Sequence, residues 1–205
     1  MSITLALILI TVIVSLWSWR DESMMDNWIL NPYKTVKKKQ YYRLLTSGFL
    51  HADLGHLFFN MFSFYIFGNQ IEQVFAALFG GSAPVYLLVF YLLAIVVSDI
   101  PTLIRYRNDS RYNSLGASGG VSAIIFGSIL FFPLGDICLY FALCMPAFIF
   151  GLLYLGYSFW ASRRGVGYVN HDAHAYGALF GILFMIVVYP PVLSSFSQQV
   201  YNWIF

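Results

Sequence analysis

Two short segments carry side chains that could act together in nucleophilic catalysis. Ser118 lies in the segment GASGG at 116–120, and His174 lies in the segment AHAYG at 173–177. A histidine can take the proton of a serine hydroxyl while the serine oxygen attacks a carbonyl carbon. Each segment begins a long apolar stretch, and a polar side chain in a membrane span is costly enough to indicate a function. The pattern therefore predicts a serine nucleophile and a histidine base within a lipid bilayer.

A second polar group stands at the start of an earlier apolar stretch. It consists of His51, His56 and Asn60. His56 and Asn60 are four residues apart, so they share one face of a helix. Imidazole and amide N–H groups can donate hydrogen bonds to the oxygen that becomes negative during acyl transfer. A structural hydrogen bond between helices is the alternative interpretation of His56 and Asn60.

The composition is that of a membrane protein with several spans. Of the 205 residues, 60% are hydrophobic and 10% are charged, whereas a soluble domain carries about 25% charged residues. The length fits one compact domain over residues 1–205 rather than two domains. A net charge of +2 is too small to indicate a nucleic-acid partner. The partner predicted instead is the lipid bilayer.

Six apolar stretches are long enough, or nearly so, to cross a hydrocarbon core of about 30 Å as helices. We predict an all-α membrane protein, a six-transmembrane-helix bundle, because helices satisfy their own backbone hydrogen bonds within lipid. The connection 20–55 is aromatic and basic, and we expect it to lie partly in the headgroup region. The predicted spans are 2–19, 56–79, 83–104, 116–134, 138–160 and 173–191.

The basic residues are confined to one side of this arrangement. All eleven Lys and Arg residues fall in the connections that follow the first, third and fifth predicted spans. The spans that begin on this side carry His56, Ser118 and His174 near their starts. The three side chains are therefore predicted to lie at the same membrane depth. The positive-inside rule places this side in the cytoplasm.

Two of these spans also carry stripes of small residues, which allow helix backbones to approach each other closely in membranes. Packing one stripe against the other would bring Ser118 and His174 within hydrogen-bonding reach. The stripes are Gly119, Ala123 and Gly127 in the fourth span, and Ala173, Gly177 and Gly181 in the sixth.

Other polar residues and the cysteines have structural interpretations. Cys138 and Cys144 are six residues apart in a predicted helix, where their side chains are too far apart around and along the axis to form a disulfide. We expect both cysteines to pack in the core. Asp53 and Asp172 are interpreted as helix N-caps. Glu72 is interpreted as a protonated or hydrogen-bonded packing residue of the second span.

Together, these motifs resemble those of the rhomboid family of intramembrane serine proteases. The segment 116–119 matches the family's Gly-x-Ser-Gly element, 173–177 matches Ala-His-x-x-Gly, and the second polar group matches His-x4-His-x3-Asn. Arg43, which follows a tyrosine, resembles the arginine of the aromatic-arginine pair in the family's first loop. Gly68 and Glu72 resemble a pair in its second span. The resemblance extends from the first predicted span to the sixth.

The resemblance implies a serine endopeptidase that cleaves transmembrane segments of other membrane proteins without a metal or other cofactor. It assigns Ser118 as the nucleophile and His174 as the general base, a dyad without an acidic third residue. It also implies an oxyanion site formed by His56, Asn60 and the backbone N–H of Ser118. The implied location is the cell (inner) membrane, crossed several times. Supporting roles would fall to His51, Gly116, Gly119, Arg43 and Glu72.

Two features depart from the family pattern. The position four residues after the serine is often an aromatic residue that packs against the catalytic histidine. Here it is Ser122, so another residue must orient His174. The family orientation places the active site on the outer side of the membrane, opposite to the positive-inside prediction. We expect the family orientation, because a long amphipathic connection can hold its basic residues at the lipid headgroups.

Two other functions fit parts of the pattern. A catalytically weak or inactive rhomboid-like protein that binds membrane clients would be expected to lack Ser118 or His174, and both are present. A cofactor-binding or transport bundle would use histidines as ligands. These histidines lie near one surface, and no His-Glu-x-x-His zinc element occurs. The candidate ligands are His51, His56, His171 and His174.

Overall fold

The computed structural model describes residues 2–139, 142–165, 167 and 169–205. This part of the chain is mostly helical, with one two-stranded sheet. Short 3-10 turns at Ser47–Phe49 and Gly80–Ser82 follow the fourth and fifth helices. The helices are α1 (Ile3–Ser18), α2 (Glu22–Trp28), α3 (Pro32–Lys37), α4 (Arg43–Thr46), α5 (Leu54–Phe79), α6 (Ala83–Tyr106), α7 (Ser118–Phe131), α8 (Ala147–Arg164), α9 (His171–Val188) and α10 (Val192–Ile204).

Helices α5 and α6 form an antiparallel hairpin. Gly80 ends α5 with a φ of +53°, a positive value that glycine adopts without steric cost. The chain then turns back, so that the rings of Phe79 and Tyr86 stack with centroids 4.1 Å apart. Further along, the rings of Phe64 and Tyr91 stack at 4.3 Å. The second and third predicted spans are therefore neighbouring helices that run in opposite directions.

Two of the described helical stretches are long and apolar enough to cross a membrane. They are Leu54–Tyr106, which contains the α5–α6 hairpin, and His171–Val188. Helices α1 and α7 are apolar but shorter. A helix occupies most of each predicted span, but the count of six spans stays a prediction.

Helix α7 lies at the centre of the bundle. It packs against α5, α6, α8, α9 and α10, and eleven of its residues are buried. Helix α9 comes so close that a Cβ added to Gly177 would lie 2.2 Å from the carbonyl oxygen of Gly119. A Cβ added to Gly181 would lie 2.2 Å from the carbonyl oxygen of Ala123. The predicted contact between the two small-residue stripes is confirmed.

The connection between α7 and α8 is a β-hairpin, which corrects the prediction for the two cysteines. Strands β1 (Asp136–Leu139) and β2 (Leu143–Pro146) pair antiparallel. Cys138 lies opposite Cys144 in this pair and forms a disulfide with it. The prediction that these residues cannot bridge was wrong because it assumed a helix. An antiparallel pair instead places opposite residues face to face.

The fifth predicted span, 138–160, is wrong at its beginning, since α8 begins only at Ala147. Positions 140 and 141 of that span lie outside the described residues. The predicted all-α class is corrected to a mostly helical fold with a β-hairpin ahead of α8. Helix α7 ends at Phe131, two residues before Pro133, which cannot continue a helix.

A further helix follows the sixth predicted span. Helix α9 ends at Val188, just before Pro190 and Pro191, and α10 begins at Val192. A proline cannot continue a preceding helix but fits the first turn of the next one. Gln199 of α10 donates a hydrogen bond to the carbonyl oxygen of Phe131 (3.4 Å). Helix α10 therefore packs at the end of α7 that leads into the β-hairpin.

The long first connection folds around a buried arginine. Arg43 is 1% exposed. Its guanidinium donates to the carbonyl oxygens of Asp26 (2.6 Å) and Ile29 (2.8 Å) and to the side-chain oxygen of Gln40 (2.8 Å). A buried charge is tolerated only when its polar groups are paired. Arg43 thus ties α2, α3 and α4 together.

Glu72 caps α1 from the interior of α5. Its carboxylate accepts hydrogen bonds from the hydroxyl of Ser2 (2.6 Å) and from the backbone N–H groups of Ile3 (2.9 Å) and Thr4 (3.1 Å). The first N–H groups of a helix lack intrahelical partners, and negative charge is favourable there. The interpretation of Glu72 as a hydrogen-bonded packing residue is confirmed.

Enlarging the α7–α9 contact is expected to destabilise the bundle. In the Gly177→Ala variant the new methyl group meets backbone atoms of Gly119, which cannot rotate away, so we expect a loss of about 1–3 kcal/mol. The measurement is denaturation of the purified protein in detergent micelles. Gly156→Ala is the matched control, because a Cβ at Gly156 of α8 meets nothing within 4 Å. Equal stability of the two variants would contradict the close contact.

Candidate active site

A cavity of about 1010 Å³ lies at the end of the bundle where α5, α7 and α9 begin. Its lining includes Ser118, His174, His56, Asn60 and Gly116. These residues come from three helices and the loop before α7, and they are far apart in the chain. The fold therefore brings Ser118, His174, His56 and Asn60 to one cavity.

Ser118 is the first residue of α7, and no side chain caps this helix end. The first backbone N–H groups of an α-helix lack intrahelical partners. These N–H groups, together with the positive end of the helix dipole, favour an anion at this position. The Ser118 hydroxyl thus stands beside donors that suit a developing negative charge.

His174 lies one turn into α9 and lines the same cavity as Ser118. The backbone contact of Gly119 with Gly177 holds the two helices together immediately beside these residues. No hydrogen bond joins the Ser118 hydroxyl to the His174 imidazole in this conformation of the described chain. Catalytic hydrogen bonds often tighten only when substrate is bound. The two side chains are therefore related by the cavity that both of them line.

Gly116 shapes the loop that leads into Ser118. Its φ of +125° is a conformation that residues with a side chain rarely adopt. A Cβ at this position would also lie 2.7 Å from Cε1 of His56. The backbone N–H of Gly116 donates to the carbonyl oxygen of Ser47 (3.0 Å). Glycine thus lets the loop pass directly against the imidazole of His56.

Asp53 and Asn60 order the first turns of α5 around His56. The Asp53 carboxylate accepts a hydrogen bond from the backbone N–H of His56 (2.8 Å), which confirms Asp53 as the N-cap of this helix. The side-chain amide of Asn60 donates one N–H to the carbonyl oxygen of His56 (3.0 Å). Its second N–H is left for another acceptor. His56 and Asn60 do share a face that borders the cavity.

His51 connects α1 to the start of α7. Its Nδ1 lies 2.9 Å from the hydroxyl of Ser15, whose proton is donated to the carbonyl oxygen of Phe49 (2.9 Å). The Ser15 oxygen can then only accept, so Nδ1 carries the imidazole proton. The Nε2 atom accepts a hydrogen bond from the backbone N–H of Ala117 (3.4 Å). His51 therefore holds the residue immediately before Ser118.

The hydrogen bonds of His51 require a neutral ring, since an imidazolium has no acceptor. Burial, with a smaller contribution from the neighbouring His56, lowers the pKa of His51 from 6.5 to about 3. The ring is thus neutral at physiological pH. With both ring nitrogens engaged, His51 serves as a structural support rather than as a base.

Asn170 corrects the interpretation of Asp172 as the cap of α9. The Asn170 side-chain oxygen accepts from the backbone N–H of Ala173 (3.1 Å) and from the hydroxyl of Thr102 (2.9 Å). Its amide nitrogen donates to the hydroxyl of Ser114 (3.0 Å). Asp172 instead pairs with Arg105 (3.0 Å). Asn170, two residues before Asp172, is therefore the N-cap of α9.

Two further residues of the cavity wall were not anticipated from the sequence. Asp99 of α6 is 8% exposed and accepts a hydrogen bond from the amide of Asn170 (3.4 Å). Tyr154 of α8 stacks beside the imidazole of His174, with ring centroids 6.0 Å apart. A lone carboxylate in an apolar span was a usable signal for Asp99. Tyr154 is one of many aromatic residues in the chain, and no local motif distinguishes it from the others.

The histidines are not arranged as a metal site within the described residues, where no group of three or more His, Cys, Asp and Glu side chains is placed to hold an ion. His51 is committed to Ser15 and Ala117. The rings of His171 and His174 meet edge to face, with centroids 5.9 Å apart.

A family model described as the Rhomboid domain matches residues 38–191. The chain belongs to the rhomboid family. The match begins in the first connection and runs through α9, so it contains all the cavity residues discussed above. Rhomboids are embedded in membranes, and the apolar surface of this bundle agrees with such an environment.

One relative of this rhomboid is "RHOMBOID-like protein 12, mitochondrial" from Arabidopsis thaliana. The two are 29% identical over 178 residues, which cover 78% of this chain and 51% of the relative. This chain thus spans about half the length of that relative. The name places the relative in mitochondria, and the cell (inner) membrane stays a prediction for the present rhomboid.

Proposed function

We propose that this rhomboid is a serine endopeptidase that cleaves transmembrane segments of other membrane proteins. One observation carries the proposal: Ser118, His174, His56 and Asn60 line one cavity at one end of the bundle. They include a nucleophile, a base and hydrogen-bond donors, which are the groups that acyl transfer needs. The cavity contains polar groups at the end of an apolar bundle, so it can admit water.

In the proposed reaction, the Ser118 oxygen attacks the scissile carbonyl carbon while His174 takes the hydroxyl proton. The carbonyl oxygen becomes negative and accepts hydrogen bonds from the Ser118 backbone N–H, the second N–H of Asn60 and the His56 ring. His174 then gives its proton to the leaving amine, and an acyl-enzyme remains on Ser118. A water molecule, deprotonated by His174, hydrolyses this ester.

A substrate must expose its backbone to reach Ser118. A peptide bond within a transmembrane helix is protected by its own hydrogen bonds. We therefore propose that the substrate helix unwinds where it enters the cavity, which offers hydrogen-bonding groups in place of those lost. The same cavity would exclude an intact helix from the space beside Ser118.

The second candidate is a rhomboid that binds membrane clients without cleaving them. It is favoured by the missing hydrogen bond between the Ser118 hydroxyl and the His174 imidazole. The two functions make opposite predictions for covalent labelling of Ser118, since only an activated serine reacts with a fluorophosphonate. A client-binding protein would retain client capture after loss of either side chain.

The dyad is tested by labelling the intact protein with a fluorophosphonate and by cleavage of a transmembrane reporter. We expect Ser118→Ala and His174→Ala each to abolish both signals, because one removes the nucleophile and the other its base. Expression and thermal stability should remain as in the unmodified protein. Ser194→Ala is the control, since this exposed serine of α10 only donates to the carbonyl oxygen of Pro191. Full activity in either dyad variant would exclude the assignment.

The oxyanion role of Asn60 has a matched control on the same helix. Asn60→Ala should lower kcat by about 10²-fold or less, as expected for one of several donors, with little effect on KM. Asn69 makes the same kind of bond, from its side-chain amide to the carbonyl oxygen of Tyr65 (2.6 Å), but lies away from the cavity. Asn69→Ala should therefore retain full activity. An unchanged kcat in Asn60→Ala would remove this residue from the oxyanion site.

Two features of this chain support the membrane orientation opposite to the one expected from the family. The basic connections meet at the cavity end of the bundle, where Arg105 of α6 contacts Ser162 of α8 and Asp172 of α9. The Cys138–Cys144 disulfide lies in the connection at the other end. Disulfides persist in oxidising compartments, and basic loops remain in the cytoplasm. We infer that the cavity and the basic connections face the cytoplasm and that the disulfide lies on the opposite side of the membrane.

This orientation is tested with two independent reporters at the hairpin end of the bundle. A green fluorescent protein fused after Phe205 should be dark, because it folds poorly after export. Cys138 and Cys144 in native membranes should react with a maleimide only after reduction. A fluorescent fusion together with freely reactive thiols would instead restore the family orientation.

A further inference from the structure

This rhomboid lacks the aromatic residue that often packs against the catalytic histidine from the position four residues after the serine. The position four residues after the serine is Ser122, which is 2% exposed and too short to reach across to the imidazole. A histidine side chain has a broad torsional preference about its ring bond. Without a neighbour against its face, the imidazole would sample orientations in which it cannot take the Ser118 proton.

Tyr154 of α8 lies against that imidazole instead. Its ring is nearly parallel to the ring of His174, at an interplanar angle of 16° and a centroid distance of 6.0 Å. This separation lies within the range of offset-stacked aromatic pairs. The contact therefore limits rotation of the imidazole of His174.

Ser122 holds Tyr154 in this position. The Ser122 hydroxyl and the Tyr154 hydroxyl are 2.7 Å apart and form a hydrogen bond. The rings of Phe126 and Phe150 flank the tyrosine, with centroids 5.7 Å and 5.6 Å away. Tyr154 is thus confined by one polar and two aromatic contacts, and a confined ring can confine its neighbour.

We propose that Tyr154 is the positioning residue of the catalytic histidine, and that Ser122 anchors it. The aromatic surface that the family pattern places on the fourth span is supplied here by α8. The small residue at position 122 makes room for this ring and fixes its hydroxyl. The proposal rests on the proposed protease function, because it concerns the orientation of the base.

The contributions of ring and hydroxyl are separated by three single variants. Tyr154→Leu removes the ring and should lower kcat about 10- to 100-fold, since small misplacements of a catalytic group have effects of this size, while KM changes less than about twofold. Tyr154→Phe keeps the ring and should retain most of kcat. Ser122→Ala removes the same hydrogen bond as Tyr154→Phe and keeps the ring, so it should also retain most of kcat.

Phe159→Leu is the matched control for loss of an aromatic ring from α8. The Phe159 ring also contacts α9, but it meets Tyr176 edge to face with centroids 6.1 Å apart, away from the cavity. Its kcat should equal that of the unmodified protein. Equal losses in Phe159→Leu and Tyr154→Leu would show a general packing effect and overturn the proposal. A Tyr154→Phe variant as slow as Tyr154→Leu would overturn the role of the ring.

An exchange variant tests whether the ring can come from either helix. Ser122→Tyr combined with Tyr154→Ser moves the aromatic residue to the family position and leaves a hydroxyl on α8. Its kcat should exceed that of Tyr154→Leu by at least about tenfold, which is the recovery of the positioning effect. A folded exchange variant with no recovery would contradict the proposal.

A spectroscopic measurement separates this proposal from the protease assignment. The chain contains four histidines, so the ring signals of His174 can be assigned by NMR of histidine-labelled protein with His174→Ala as reference. Tyr154→Leu should shift these signals through loss of the ring current, and Tyr154→Phe should not. If Tyr154→Leu shifts the His174 signals but the unmodified protein does not cleave the reporter, the protease function is refuted and the positioning role of Tyr154 stands. Unshifted signals in Tyr154→Leu would refute the positioning role.

Discussion

The backbone contact between α7 and α9 is the constraint on which the site depends. Lipid tails are as apolar as the helices, so the hydrophobic effect does not drive these helices together, and close packing of small residues does so instead. Gly177 and Gly181 meet carbonyl oxygens of α7 with no room for a methyl group. Because this contact begins beside Ser118 and His174, the same glycines that stabilise the bundle also bring together the proposed nucleophile and base.

A contact made of glycine and alanine supplies no side chains to orient Ser118 and His174, the proposed catalytic groups. The surrounding elements provide the orienting contacts, through hydrogen bonds and ring stacking. His51 fixes the backbone before Ser118, and Asn170 joins the start of α9 to the loop before α7. Tyr154 reaches the imidazole from α8. His51 is buried and Asn170 is half-buried, so the loss of either hydrogen bond would leave a polar group unpaired in the protein.

Local patterns in the chain predicted one long-range contact correctly and two local features wrongly. The stripes that contain Gly119 and Gly177 were predictable because a four-residue spacing defines one face of a helix. The Cys138–Cys144 disulfide was mispredicted because a short apolar segment was assigned to a helix when it begins as a hairpin. The cap of α9 was placed at Asp172 instead of Asn170, since both residue types cap helices and only the backbone entry distinguishes them.

The sequence by itself determined the membrane environment, the family, and the residue types available for hydrolysis, because composition and local spacing encode these properties. Only the tertiary structure decided which residues share the cavity and which support them. Asp99, Asn170 and Tyr154 are far from Ser118 in the chain, and no local pattern relates them to it. Their positions follow from helix packing, in which a contact between distant residues depends on every crossing and connection that lies between them.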